Sequence, residues 1–198
     1  MIKTILFDLG GVLFTNGTKK FIADLSQRYN LDQSLVTDVI EGDLGTQYRE
    51  SIITRDEFWK HVLESLRIDA DANLLAKDWI GGYEIITGTR DIIEELKSKY
   101  KVYFLSDNVK ERAEELDKIH HYLEWFDGGI FSHEVGVRKP NPKIYQYALD
   151  KAQVKPEEAV FIDDKPSALV PAKEMGIQTI LFSSPEDLRA QLKMIKVI

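Results

Sequence analysis

The chain contains no cysteine, so disulfides, thiolate zinc sites and a cysteine nucleophile are all excluded. It has no apolar run approaching the ~20 residues that a membrane-spanning helix needs. The first apolar stretch is interrupted by Asp8 and is followed by no small-residue cleavage site, so it does not read as a signal peptide. Basic residues are outnumbered 26 to 33 by acidic ones, giving a formal net charge of -7, and a broad surface for nucleic acid or anionic lipid is therefore not expected. These absences together point to a cytoplasmic protein. No repeat or low-complexity tract is present. What remains is an ordinary globular composition, 43% hydrophobic and 30% charged over 198 residues, enough for one good-sized domain with a smaller insert.

Short apolar runs rich in β-formers lie at Ile2–Phe7, Lys101–Leu105, Ala159–Ile162 and Gln178–Phe182, each followed by a turn and then a helical pattern. Strands buried on both faces read as continuous apolar runs, and their alternation with helices predicts a doubly wound, Rossmann-like α/β fold with a parallel sheet. Helix starts are marked by Asn141-Pro142, by Ser184-Pro185, by Thr87 or Thr89 before "RDIIEELKSKY", and by a capping box at Thr54–Glu57. Residues from about 15 to 86 read almost wholly as helix. This division predicts a core made of 1–14 and 87–198 and a small helical cap domain at 15–86, seated over the carboxyl ends of the strands, where open α/β sheets bind ligands.

Polar residues collect at those strand ends. The first strand ends in Asp8, the second in Ser106-Asp107-Asn108, and the third in Asp163-Asp164, while Lys139 precedes a helix in "GVRKPNPKIY". In a parallel sheet these ends share one rim. Clustered carboxylates repel, so a cation has to sit among them or one must be protonated. Hard oxygen ligands without His or Cys favour Mg²⁺, which commonly also holds a phosphate. A carboxylate in such a site can attack phosphorus while a hydroxyl and an ammonium hold the phosphoryl oxygens.

These four segments resemble the four motifs of the haloacid dehalogenase superfamily, in order: "DLGGVL", "FLSDN", "VGVRKPNPKIY" and "VFIDD". The resemblance runs over essentially the whole chain, and the helical insert matches the family's cap between the first two motifs. It implies Asp8 as the nucleophile that forms an aspartyl-phosphate. Ser106, with Asp107 and Asn108 beside it, would bind the phosphoryl group, and Lys139 would offset its charge. Mg²⁺ would be held by Asp8, the carbonyl of Gly10 and the fourth-motif acids, with Asp164 as the direct ligand and Asp163 acting through water. Most phosphatases of the family carry a second aspartate where this chain has Gly10, so the residue that protonates the leaving group is missing while the metal-binding carbonyl is kept.

The resemblance thus implies a Mg²⁺-dependent phosphatase acting on a small phosphorylated metabolite, of the sugar phosphate or nucleotide class, as a monomer or homodimer. Two alternatives stand beside it: a 2-haloacid dehalogenase-like hydrolase, against which the paired Asp163-Asp164 argues, and a catalytically silent phosphate-binding or regulatory protein, which Gly10 supports. The four histidines and Trp59, Trp79 and Trp125 read as structural. In the insert no residue declares specificity; Lys19, Tyr48 and Arg49 are the polar candidates.

Overall fold

The computed structural model describes residues 1–198. Five parallel strands, β1 (Thr4–Phe7), β2 (Lys101–Ser106), β3 (Gly128–Phe131), β4 (Ala159–Asp163) and β5 (Gln178–Leu181), form one sheet in the order β3-β2-β1-β4-β5. The order puts β1 at the centre, between the two other strands whose ends carry acids. Apolar side chains fill both faces. Ile5 and Phe7 pack with α6 (Thr87–Leu96), α7 (Lys110–His120) and α11 (Pro185–Met194), whereas Leu6 packs with α9 (Pro142–Ala152) and α10 (Pro166–Glu174). This two-sided burial explains why the strands lack a polar alternation.

Four strands fall where the sequence places them. The edge strand β3 was not anticipated, because its segment "GGIF" is half glycine and carries no long apolar run. The caps at Asn141, Ser184 and Thr54 form as expected, each accepting a backbone N–H of its helix. Neither Thr87 nor Thr89 caps α6, however. Ile86 holds the cap position because its N–H is drawn to the Leu13 carbonyl, 2.8 Å away, and Thr89 is buried one turn inside.

Between β1 and α6 the chain forms α1 (Gly17–Tyr29), α2 (Gln33–Glu41), α3 (Asp43–Arg49), α4 (Arg55–Leu66) and α5 (Ala72–Gly81). These helices enclose an apolar cluster of their own, centred on Phe21, Phe58, Trp59 and Trp79, into which Val109 of the core inserts. Phe21 and Trp79 stack at 5.3 Å, and Trp59 meets Trp79 edge to face at 5.9 Å, geometries that aromatic quadrupoles favour. A short neck joins the two regions. There Phe14 bridges Ile85 antiparallel, and Thr15 N–H donates to Glu84 O at 2.8 Å. At the rim, Ser132 Oγ donates to Arg49 O at 2.7 Å and Tyr48 Oη donates to Glu111 at 3.0 Å, so the insert lies against the strand ends.

Candidate active site

Sheet register assembles the first wall of the site. Phe7 pairs with Ile162, so Asp8 and Asp163 stand side by side one residue further on, and the Asp8 N–H donates to Ile162 O at 2.8 Å. Lys139 reaches the pair from the loop before α9. Its Nζ lies 2.9 Å from Asp8 Oδ1 and 2.6 Å from Asp163 Oδ2, and it also donates to Leu105 O at 3.2 Å. The other Asp163 oxygen accepts Lys165 N–H at 2.8 Å. Asp107 secures the loop: its oxygens accept the Lys139 N–H at 3.0 Å and Arg138 Nε at 3.3 Å.

One ammonium does not balance the acids here. Oxygens of Asp8, Asp163 and Asp164 lie within 4.8 Å of one another. Burial pushes the Asp8 carboxyl up to about 7, against the pull of Lys139 and with the help of Asp163. Lys139 stays cationic, because the charges of Asp163, Asp8 and Asp107 raise it more than burial lowers it. Asp164 is raised by burial and by its neighbour Asp163, and its Oδ1 is buried with no hydrogen-bond partner. An all-oxygen cluster with surplus negative charge and an orphaned acceptor fits a hard divalent cation such as Mg²⁺.

The two glycines after Asp8 have different reasons. Gly11 has φ +92°, and a Cβ there would come 2.4 Å from Asp164 Oδ2, so only glycine leaves room for this acid. Gly10 is not at positive φ, and a Cβ there would sit 3.7 Å from Tyr83 Cε1, an ordinary contact. Its backbone does not demand glycine.

In front of this wall is a cavity of about 320 Å³. Asp8, Gly10, Ser106 and Lys139 line it together with Glu41 and Arg49 of the insert, Tyr83 of its neck, Arg112 of α7 and Arg138 of the loop before α9. Ser106 faces the cavity and does not cap α7, whose cap position is Val109. The two residues after Ser106 are placed differently from it. Asn108 does not line the cavity: its Oδ1 accepts Arg112 Nε at 2.6 Å and Val109 N–H at 2.9 Å, so it orients the arginine. Asp107 does line it, but its carboxylate is engaged with Arg138 and the Lys139 backbone, which makes it a positioning group. Of the insert candidates, Arg49 lines the cavity and Tyr48 and Lys19 do not. His133 bonds Asn108 O at 2.9 Å, consistent with a structural role.

The sequence reading missed Arg112, Arg138, Glu41 and Tyr83. For the first two a signal existed: Arg112 follows Asn108 by one helical turn, and Arg138 adjoins Lys139.

A parallel sheet whose central strand leads into Asp8, a lysine bridge and paired acids make a site of the kind the motifs suggested. A model of the haloacid dehalogenase-like hydrolases matches residues 2–176, and the chain belongs to that family. It is similar to a D-ribitol-5-phosphate phosphatase of Bacteroides thetaiotaomicron, with 27% identity covering 98% of each chain. In structure it is similar to a haloacid dehalogenase family enzyme of the same organism, with a TM-score of 0.81 and 25% identity over 96% of this chain and 98% of that one. The wild-type form of that enzyme in complex with magnesium and inorganic phosphate superposes with a TM-score of 0.75 and 24% identity, over 93% of this chain and 96% of that one.

Proposed function

We propose that this hydrolase is a Mg²⁺-dependent phosphatase of small phosphate monoesters, working through a covalent intermediate on Asp8. The observation that carries the reading is the Asp8–Lys139–Asp163 chain beside the orphaned Asp164 oxygen. A carboxylate oxygen of Asp8 attacks phosphorus, the ester P–O bond breaks, and the alcohol leaves. Water then attacks the phosphorus of the aspartyl-phosphate, releasing inorganic phosphate and restoring Asp8. Lys139 fixes Asp8 for in-line attack and, with the Ser106 hydroxyl, offsets charge on the phosphoryl oxygens. Asp8, the Gly10 carbonyl and Asp164 would hold Mg²⁺ directly, with Asp163 engaged by Lys139 and acting through water. The ion would supply Lewis-acid neutralisation of the phosphoryl group and keep Asp8 ionised.

The helices of 17–81 act as a cap that excludes water over the cavity and sets the substrate. Because Gly10 offers no proton, the enzyme favours esters with acidic leaving groups, such as aryl phosphates. The similar ribitol phosphate phosphatase is consistent with a small phosphorylated metabolite as substrate.

The test is hydrolysis of p-nitrophenyl phosphate with Mg²⁺ and with excess chelator. Activity that disappears in chelator and in Asp8→Asn supports the reading. Turnover unchanged by chelator would remove the metal-dependent reading, and halide release from a 2-haloacid without any phosphate hydrolysis would favour metal-free hydrolysis of a carbon–halogen bond.

A further inference from the structure

We infer that Arg49 and Arg112, which line the same cavity as Asp8, bind a second anionic group of the substrate, a carboxylate or a phosphate. The inference deepens the phosphatase reading and rests on it for the position of the scissile group.

Arg112 is 4% exposed and sits in an aromatic bracket, its guanidinium 4.6 Å above the Trp79 ring and 5.2 Å from that of Tyr83. Asn108 fixes its Nε at 2.6 Å, yet Nη1 is buried with no acceptor. Arg49 is equally buried. Its Nη1 donates to two carbonyls, Ile40 O at 3.1 Å and Gly45 O at 2.9 Å, and it forms no ion pair. Arg138 is the contrasting case on the same cavity, since Asp107 pairs with it.

Buried charges are normally paired, and a buried donor left without a partner costs about 1–3 kcal/mol, more when charged. Burial, with the nearby charges of Arg112 and Arg138, lowers Arg49 to about 10, and the attraction of Glu41 is the weakest of its influences. Glu41 lines the same cavity but forms no ion pair with Arg49 or Arg112. Guanidinium forks match carboxylate and phosphate oxygens in geometry and hold their charge in a desolvated site. The scissile phosphoryl group would already be held by Ser106, Lys139 and a cation bound by the three acids. A substrate ending in hydroxyls alone would leave both arginines uncompensated, whereas one ending in an acid completes them.

The experiment is isothermal titration of the Mg²⁺-loaded protein with non-hydrolysable alkylphosphonates having two- to four-carbon chains that end in methyl, carboxylate or a second phosphonate. At one chain length an acid-ended ligand is expected to bind at least ~10-fold more tightly than its methyl-ended counterpart, and the better of the two acids identifies the group. Arg112→Met and Arg49→Met are each expected to bring that ratio towards one. Equal affinity for methyl-ended and acid-ended ligands at every length would overturn the inference, and so would an Arg112→Met protein that loses affinity for both equally, because the arginine would then grip the phosphoryl group. The wild-type series needs no variant, so a misfolded mutant does not shelter the idea. Arg112→Lys, which keeps charge but not the fork, is expected to retain part of the preference. Preference for the acid end without any hydrolysis of p-nitrophenyl phosphate would leave the anion site standing and sink the phosphatase reading instead.

Discussion

The two walls of the cavity are electrostatic opposites. At the strand ends Asp8, Asp163 and Asp164 crowd around one lysine and leave a buried acceptor, Asp164 Oδ1, without a partner. Elsewhere on the same cavity Arg49 and Arg112 gather over the Trp79 ring and leave a buried donor, Arg112 Nη1, without one. Each wall is incomplete in the sense of its own surplus charge: one asks for a cation, the other for an anion. A phosphate ester carried on a magnesium ion and ending in an acid satisfies both. The comparison shows that unsatisfied buried atoms, read by sign, describe the ligand as well as the protein.

The sharpest way to break the symmetry is to disarm the acidic wall. Asp8→Asn replaces one oxygen by a near-isosteric amide, and turnover of p-nitrophenyl phosphate is expected to fall by about 10³-fold or more, with circular dichroism unchanged. Unfolding the other wall's support comes next. Trp79 stacks on Phe21 and lies under Arg112, so Trp79→Ala is expected to cost about 3–5 kcal/mol by denaturant titration and to loosen the insert before the core. A single transition in which insert and core are destabilised together would show that the five helices are not energetically distinct.

Within the acidic wall the two adjacent acids are expected to differ. Asp163→Asn should weaken Mg²⁺ binding by about 10–100-fold, the usual loss for an outer-shell partner, and Asp164→Asn by more. Calorimetry in the presence of inorganic phosphate decides; the reverse order would exchange their roles.

Gly10→Asp adds the absent acid at a position where φ and space permit it. Alkyl phosphates are expected to gain at least ~10-fold, a part of the usual 10²–10⁴ for general acid catalysis, and aryl phosphates little. Equal effects on both would point to Glu41, the remaining carboxylate of the cavity without an ion pair, as an existing proton donor.

The smallest effect is on stability. Asp8 is raised from 3.8 to about 7 in the folded protein, so between those values the folded state binds a proton that the unfolded state does not. Metal-free protein should therefore become more stable as pH falls from about 7 towards 4, and Asp8→Asn should lose this increment. Denaturation midpoints at pH 5 and 8 in chelator measure it.

The acidic wall was legible in the sequence because each of its residues ends an apolar strand or follows one closely, and parallel register then brings them together. Local rules of this kind also located four strands and the caps at Thr54, Asn141 and Ser184. The edge strand "GGIF" escaped because glycine gives no apolar signal. Of the arginines only Arg49 stood out in the sequence, as a polar candidate of the insert, and their grouping escaped for a different reason. Arg49, Arg112 and Arg138 come from α3, α7 and the loop before α9, and nothing along the chain links them until the insert folds back on the rim. The placement of Asn108 was hidden on the same ground: Ser106, two residues before it, lines the cavity, while its own side chain turns to Arg112, four residues on.

The central claim is that Asp8 attacks phosphorus, and rapid acid quenching tests it most directly. The protein would be mixed with Mg²⁺ and a good leaving-group aryl phosphate, quenched within the first turnover, digested and analysed by mass spectrometry. One phosphoryl group is expected on the peptide that contains Asp8, located at that residue, removed by hydroxylamine and absent from Asp8→Asn. A product burst with no phosphorylated peptide, or with the phosphoryl group on another residue, would contradict it.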